Sequence, residues 1–196
     1  MNRRIAALFA VLALLTIPCQ AQESEGAITK NDKSTGIRIG AELDPLPYAL
    51  GGYFGAVTIG GEHFRLRVLG AGGATKPDFI VPEGFTKNTL DTYAAVVDIF
   101  PFTSDYSSWW GYAGIVRWNS TIQNSSDHAV SAFSNTLLSI GGGYSYFFYK
   151  HFYVSPWAGI HTRIGGETDV VVGNKTYHVP LFSPEASVKV GWYVTM

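Results

Sequence analysis

The last thirteen residues of the chain alternate without a break. Pro184, Ala186, Val188, Val190, Trp192, Val194 and Met196 share one face of an extended strand. Glu185, Ser187, Lys189, Gly191 and Tyr193 share the other. Successive side chains of a strand point to opposite faces, so a period of two separates two environments. Here one face is apolar and the other is charged or polar. In an exported chain that pattern fits a wall with hydrocarbon on one side and a polar lumen on the other.

The N-terminus supports export. Arg3 and Arg4 form a basic start, and Ile5 to Ile17 is an apolar run too short for a membrane helix. Residues 1–21 read as a signal peptide cut after Ala21, with Cys19 and Ala21 as the small residues at the cut. Acylation of Cys19 is the alternative, and Pro18 makes a poor context for it. Cys19 is the only cysteine, so the mature chain has no disulfide staples and must be held by its fold. Loss of Arg3 and Arg4 takes the formal charge from −1 to −3, which leaves no nucleic-acid footprint. No run after residue 21 approaches the ~20 apolar residues of a membrane helix. A chain rich in Gly and aromatics, with only 15% charged residues and no helical periodicity, is predicted to be all-β.

Residues 22–34 are polar and aperiodic and read as a periplasmic tail; residues 35–196 divide into eight strands. Strand one, 36–44, sets Ile37, Ile39, Ala41 and Leu43 against Arg38, Glu42 and Asp44, and Pro45 and Pro47 end it in a tight connection. Strand two, 50–59, is blurred by Gly51, Gly52 and Gly55, and its faces stay unassigned. Strand three, 63–71, sets Phe64, Leu66 and Val68 against Arg65 and Arg67. Strand four, 88–100, turns Tyr93, Ala95, Val97 and Ile99 outward and Asp98 inward. Strand five, 109–119, sets Trp110, Tyr112, Val116 and Trp118 against Arg117 and Asn119. Strand six, 133–149, sets Leu138, Ile140, Tyr144, Tyr146 and Phe148 against Asn135, Ser139 and Ser145. Strand seven, 151–164, turns Phe152, Val154, Ala158, Ile160 and Ile164 outward and Trp157, His161 and Arg163 inward, with a bulge expected at Pro156. A small hairpin around Gly173-Asn174 precedes strand eight.

The connections obey a parity. The three longest, 72–87, 120–132 and 165–181, all fall at one end, and the short ones at 60–62 and 149–151 fall at the other. Short periplasmic turns and longer extracellular loops are the rule in outer-membrane barrels. Trp109, Trp110, Phe148, Tyr149, Phe152 and Trp192 map near the periplasmic rim, and Trp118 near the outer rim, as two aromatic girdles. With these features the segment 35–196 resembles the small eight-stranded outer-membrane barrels, the group that includes the OmpA transmembrane domain, OmpW and the lipid A deacylase PagL. The resemblance implies an antiparallel transmembrane β-barrel in a Gram-negative-type envelope, inserted by the outer-membrane assembly machinery and surrounded by outer-membrane lipid; the chain is read here as a monomer. It transfers no function, since such barrels include scaffolds, binding proteins and enzymes.

The lumen face carries Arg38, Glu42, Asp44, Arg65, Arg67, Asp98, Arg117, Arg163, Glu185 and Lys189. An eight-stranded barrel is only wide enough for its own side chains, so these charges are expected to pair into a plug. That favours a non-enzymatic scaffold or a surface contact through the external loops. A second reading places His161, Glu185 and Ser187 together at the outer mouth, as parts of a hydrolase acting on envelope lipid. The deacylase pattern of a histidine and a serine two apart on one strand is not met, because Arg163 follows His161 at that spacing. A third reading is a soluble exported barrel that binds an apolar ligand. The five histidines show no metal-ligand spacing, no metal or cofactor is called for, and Gly141-Gly142-Gly143 reads as relief of crowding inside the barrel. The three Asn-x-Ser/Thr sequences are plain loop chemistry.

Overall fold

The computed structural model describes residues 36–196. The signal segment 1–21 and the tail 22–34 lie outside them. The elements run β1 (Arg38–Leu43), α1 (Pro45–Ala49), β2 (Tyr53–Gly60), β3 (Phe64–Thr75), a 3₁₀ turn (Asp78–Ile80), β4 (Phe85–Ile99), β5 (Ser108–Asn124), β6 (Val130–Tyr149), β7 (Phe152–Gly166), β8 (Asp169–Val172), β9 (Lys175–His178) and β10 (Phe182–Thr195). Eight of the strands close into an antiparallel barrel in the order β1-β10-β7-β6-β5-β4-β3-β2, and β8 and β9 form a separate hairpin. Closure is made by β1 against β10, from Arg38 opposite Thr195 to Leu43 opposite Val190. A closed ladder has no edge strand left to aggregate.

Connections 61–63, 100–107 and 150–151 gather at one end, here called the turn end; 44–52, 76–84, 125–129 and 167–181 gather at the loop end. The loops are shorter than the sequence predicts because β3, β4, β5 and β6 run on past the expected strand ends. The first connection is not a plain tight turn. Asp44 caps helix α1 by accepting from the Leu46 N–H at 3.0 Å, and Pro45 takes the first helical position, where its missing N–H costs nothing.

The wall is polarised as the alternation requires. Val57, Leu66, Val68, Tyr93, Val97, Ile115, Ile140, Ile160 and Val190 are exposed on its outside, while Arg65, Arg67, Glu42 and Asp98 are buried inside. Strand β2, which the sequence left unassigned, turns Phe54, Ala56 and Thr58 inward and Tyr53, Val57 and Ile59 outward.

Strand β5 departs from the sequence reading. Trp110, Tyr112 and Val116 are buried in the lumen, Trp118 packs against the same interior cluster, and Arg117 is exposed on the outer surface. Trp110 and Trp118 are therefore not girdle residues, and Arg117 is not part of the lumen network. Both faces of β5 are apolar, so hydrophobicity alone could not set its phase. The interior takes the larger side chains because glycines on neighbouring strands make room. A Cβ on Gly159 would collide with the Tyr112 hydroxyl, and one on Gly143 would lie 3.0 Å from the Trp110 ring. Outside, above Ile115, the β5 series turns polar through Arg117, Asn119 and Thr121, which marks the upper limit of the apolar belt.

The bulge expected at Pro156 is also absent. Pro156 pairs with Val188 in unbroken register on β10. The irregularities of the β6–β7 ladder lie at Thr136/Leu137 and Phe147/Tyr149 instead. On the β6 side the pairing skips Pro156 and Ser155, between Trp157 opposite Gly143 and Val154 opposite Tyr146, with no change of register, so the lost ladder hydrogen bond is absorbed without a bulge.

Two clusters fill the molecule. Phe100, Tyr106, Trp110, Tyr112, Tyr153 and Tyr193 crowd the turn half of the lumen. Val81, Ile122, Phe133, Val170, Val172 and Tyr177 seat the β8–β9 hairpin at the loop end.

Candidate functional site

At mid-barrel four charged side chains close on one another. Strand β3 sends in Arg65 and Arg67, β1 sends Glu42 and β4 sends Asp98. Asp98 accepts from Arg65 Nε at 2.8 Å and from Arg67 Nη2 at 2.6 Å. Glu42 accepts from Arg67 Nη1 at 3.0 Å and lies 3.0 Å from Arg65 Nη2. Each carboxylate thus bridges both guanidiniums. Tyr153 of β7 completes the ring: it receives from Arg65 Nη1 at 2.7 Å and donates to Glu42 Oε1 at 2.7 Å. None of these side chains is more than 2% exposed. Ions this deep persist only when paired and hydrogen-bonded. Nearer the turn end, Arg38 donates to the carbonyl oxygens of Gly61 and Ser104 and lies against the Tyr106 ring.

Above this ring the lumen opens. A cavity of about 280 Å³ reaches toward the loop end, with Arg67 and Lys189 among its lining at the level of the ring. Its walls are Phe54, Leu69, Ala94, Val96, Val116 and Trp118; Leu46 and Leu50 of the α1 segment border it; Lys76, His161 and Glu185 line it nearer the loops. Lys189 approaches Glu42 only at 3.8 Å and rests between the Trp110 and Trp157 rings, at 4.9 and 4.8 Å from their centroids. Lys76 lies over the Trp118 ring at 5.1 Å. Burial pushes the Lys76 ammonium below the ordinary lysine value, only partly offset by the charge of Glu185.

His161 Nε2 meets Glu185 Oε2 at 2.7 Å, one inward position from its cross-strand neighbour Ser183. Its ring lies 5.0 Å from that of Trp118. Ser187 does not join them: its hydroxyl donates to Asp44 Oδ1 at 2.7 Å. The acid–histidine pair is present, but among the described residues no hydroxyl is hydrogen-bonded to the imidazole. Arg163 lies near the loop end of β7 and donates to the Glu167 carbonyl at 3.2 Å. Trp109, Phe148, Tyr149, Phe152 and Trp192 are exposed on the outer wall toward the turn end.

Two contributors were not singled out from the sequence. Tyr153 could have been found by parity, since it falls between the outward Phe152 and Val154. Lys76 could not, because it belongs to a loop whose path no periodicity records.

No family model matches the chain, and neither does any curated protein. Among solved structures it is similar to the N-terminal β-barrel domain of Pseudomonas aeruginosa OprF, with a TM-score of 0.50, 14% identity, and coverage of 82% of this chain and 98% of that one. It is also similar to Neisserial surface protein A, with a TM-score of 0.45, 16% identity, and coverage of 80% and 94%. The likeness to the OprF domain is one of fold: an antiparallel eight-stranded β-barrel of the small outer-membrane type.

Proposed function

We propose that this chain is a monomeric, non-enzymatic outer-membrane barrel, sealed against ions at mid-depth, which acts through its extracellular end. The observation that carries the reading is the inverted wall: large aliphatic and aromatic side chains stand exposed outside while four ionised groups are buried within. That inversion is stable where hydrocarbon bathes the exterior. The Arg65–Glu42–Arg67–Asp98 ring and the aromatics below it block a water path. The loop end is in turn an ordered surface. Asn124 Nδ2 donates to the Val172 carbonyl at 3.0 Å and Ser131 Oγ to the Val171 carbonyl at 2.6 Å, which ties the hairpin to β5 and β6. Such a surface suits a contact role. Delivery by the outer-membrane assembly machinery follows from the same reading.

Three measurements test it. The purified chain is expected to show heat-modifiable migration on detergent gels, to refold only with detergent or lipid, and to give no stepwise conductance in a planar bilayer. Refolding from plain buffer, or steady ion current, overturns it. For the hydrolase alternative, lipid A mass spectra from cells with and without the protein are expected to be identical; a change abolished by His161→Ala would revive it.

A further inference from the structure

We propose that the cavity binds a small amphipathic carboxylic acid, with its carboxylate on Lys189 and its apolar body against Leu69, Val96 and Val116. Charge balance is the first argument. Among the described residues, the buried lumen charges are Arg38, Arg65, Arg67 and Lys189 against Glu42, Asp44 and Asp98, so one cation has no buried counterpart; Glu185, about half exposed, is paired with His161. Every other member has hydrogen-bond partners, although Arg38 Nε and Arg67 Nε are each left without one. Arg65 and Arg67 are bridged by both carboxylates, Arg38 has two carbonyl acceptors, and Asp44 holds the Leu46 N–H and the Ser187 hydroxyl.

Lys189 is the exception. An ammonium carries three donors. Its approach to Glu42, at 3.8 Å, is beyond hydrogen-bond distance, and the oxygen it approaches already accepts from Arg67. The tryptophan faces on either side supply cation–π attraction but no acceptor. The side chain is only 3% exposed and borders the cavity. A buried cation short of acceptors, facing an open space, is the complement of an anion.

The walls set the rest of the ligand. They are mainly aliphatic and aromatic, which disfavours sugars, nucleotides and bare inorganic anions, all of which need polar partners around them. A volume near 280 Å³ sits at the lower limit of the ~300–1,000 Å³ usual for small-molecule sites, so the body must be compact. Lys76 lines the cavity nearer the loops, where Glu185 lines it as well.

The test uses the full mature chain folded in detergent, titrated calorimetrically with 2-naphthoate and with its neutral isostere 2-naphthamide, against detergent blanks. Naphthoate is expected to bind and the amide to bind at least about tenfold more weakly, the worth of one hydrogen bond to a charged group. Lys189→Met is expected to lose about tenfold for the acid and nothing for the amide. Should that variant fail to fold, Ala94→Leu, which fills the cavity and keeps Lys189, is expected to weaken both. No heat above the blank for the wild type, equal affinity for acid and amide, or an unchanged Lys189→Met overturns the proposal. A protein that passes the gel and conductance measurements yet binds neither probe refutes the ligand and leaves the sealed barrel standing.

Discussion

Replacing Glu42 by Gln is the sharpest probe of what holds the cylinder shut. The substitution keeps volume and shape and removes one charge. In the wild type Glu42 serves Arg65, Arg67 and Tyr153 at 3.0, 3.0 and 2.7 Å and lies 3.8 Å from Lys189. Without it, Asp98 alone must balance three buried cations. The glutamine amide also brings an N–H where the ring needs an acceptor, so one guanidinium donor faces another donor. Removing one partner of a buried pair typically costs about 3–5 kcal/mol, because the other charge stays behind unpaired. Glu42 is only 2% exposed, so bulk water does little to offset the lost charge. The assay is urea unfolding in detergent or lipid vesicles, followed by tryptophan emission and by the folded-band fraction on an unheated gel. The expected loss is about 3 kcal/mol or more. The double variant Glu42→Gln/Arg65→Gln removes one charge of each sign and should be more stable than Glu42→Gln alone, a coupling that a double-mutant cycle isolates. A single-variant loss below about 1 kcal/mol, the range of an exposed pair, would refute the claim that the ring is a dry and mutually dependent unit.

Two further outcomes follow from placement along the barrel axis. Arg117 stands outside at the top of the apolar belt and Ala113, two outward positions nearer the turn end, within it; Arg117→Leu should change stability by no more than about 1 kcal/mol, while Ala113→Arg should cost about 2–4 kcal/mol in vesicles, and equal costs would place the belt wrongly. At the turn end, burial alone would raise the Asp105 carboxyl, but donation from the Ser107 hydroxyl and backbone N–H at 2.6 and 3.1 Å outweighs it and holds the group below the ordinary aspartate value. A depressed carboxyl contributes stability that is present above an ordinary aspartate pKa of about 4 and is lost as pH falls through the folded value. Urea midpoints at pH 6 and pH 3 should therefore separate less in Asp105→Asn than in the wild type.

The outer surface was legible in the sequence because one medium touches it everywhere. Tyr93, Ala95, Val97 and Ile99 on β4, or Val188, Val190 and Trp192 on β10, meet that medium at every second residue, and period two follows. The lumen imposes no such uniformity. It holds Arg65 at one level and Phe100 at another, so an inward series can be ionic, aromatic or glycine. Where it was ionic, as on β3, the phase was plain. Where it was aromatic, as on β5, the same residues looked equally suited to the outside, and Trp110, Trp118 and Arg117 were placed on the wrong face. The clue lay on other strands: Gly141, Gly143 and Gly159 make the room that Tyr112 and Trp110 fill. Such complementarity is invisible until the strands are paired. Among the candidate catalytic groups, chain pairing brought His161 to Glu185, but whether Ser187 would turn to His161 or to Asp44 depended on the helix cap that Asp44 makes, which a pattern of alternation does not encode.

The boundary between plug and cavity is drawn by side-chain size on strands that are otherwise continuous. A barrel of fixed strand number has a nearly fixed interior width, so what points inward decides whether a level is filled. On β3 the inward series passes from Arg65 and Arg67 to Leu69 and Ala71; on β4 it passes from Asp98 to Val96, Ala94 and Thr92. Toward the turn end the interior receives Phe100, Tyr106, Tyr153 and Tyr193 as well, and no space remains. Toward the loop end the series shrinks to alanine and threonine, and the cavity begins within one residue step of the charged ring. The cation left without an acceptor, Lys189, stands at that step. A filled level and a pocket open toward the loop end are thus made by one gradient of side-chain volume, and Lys189 stands where they meet.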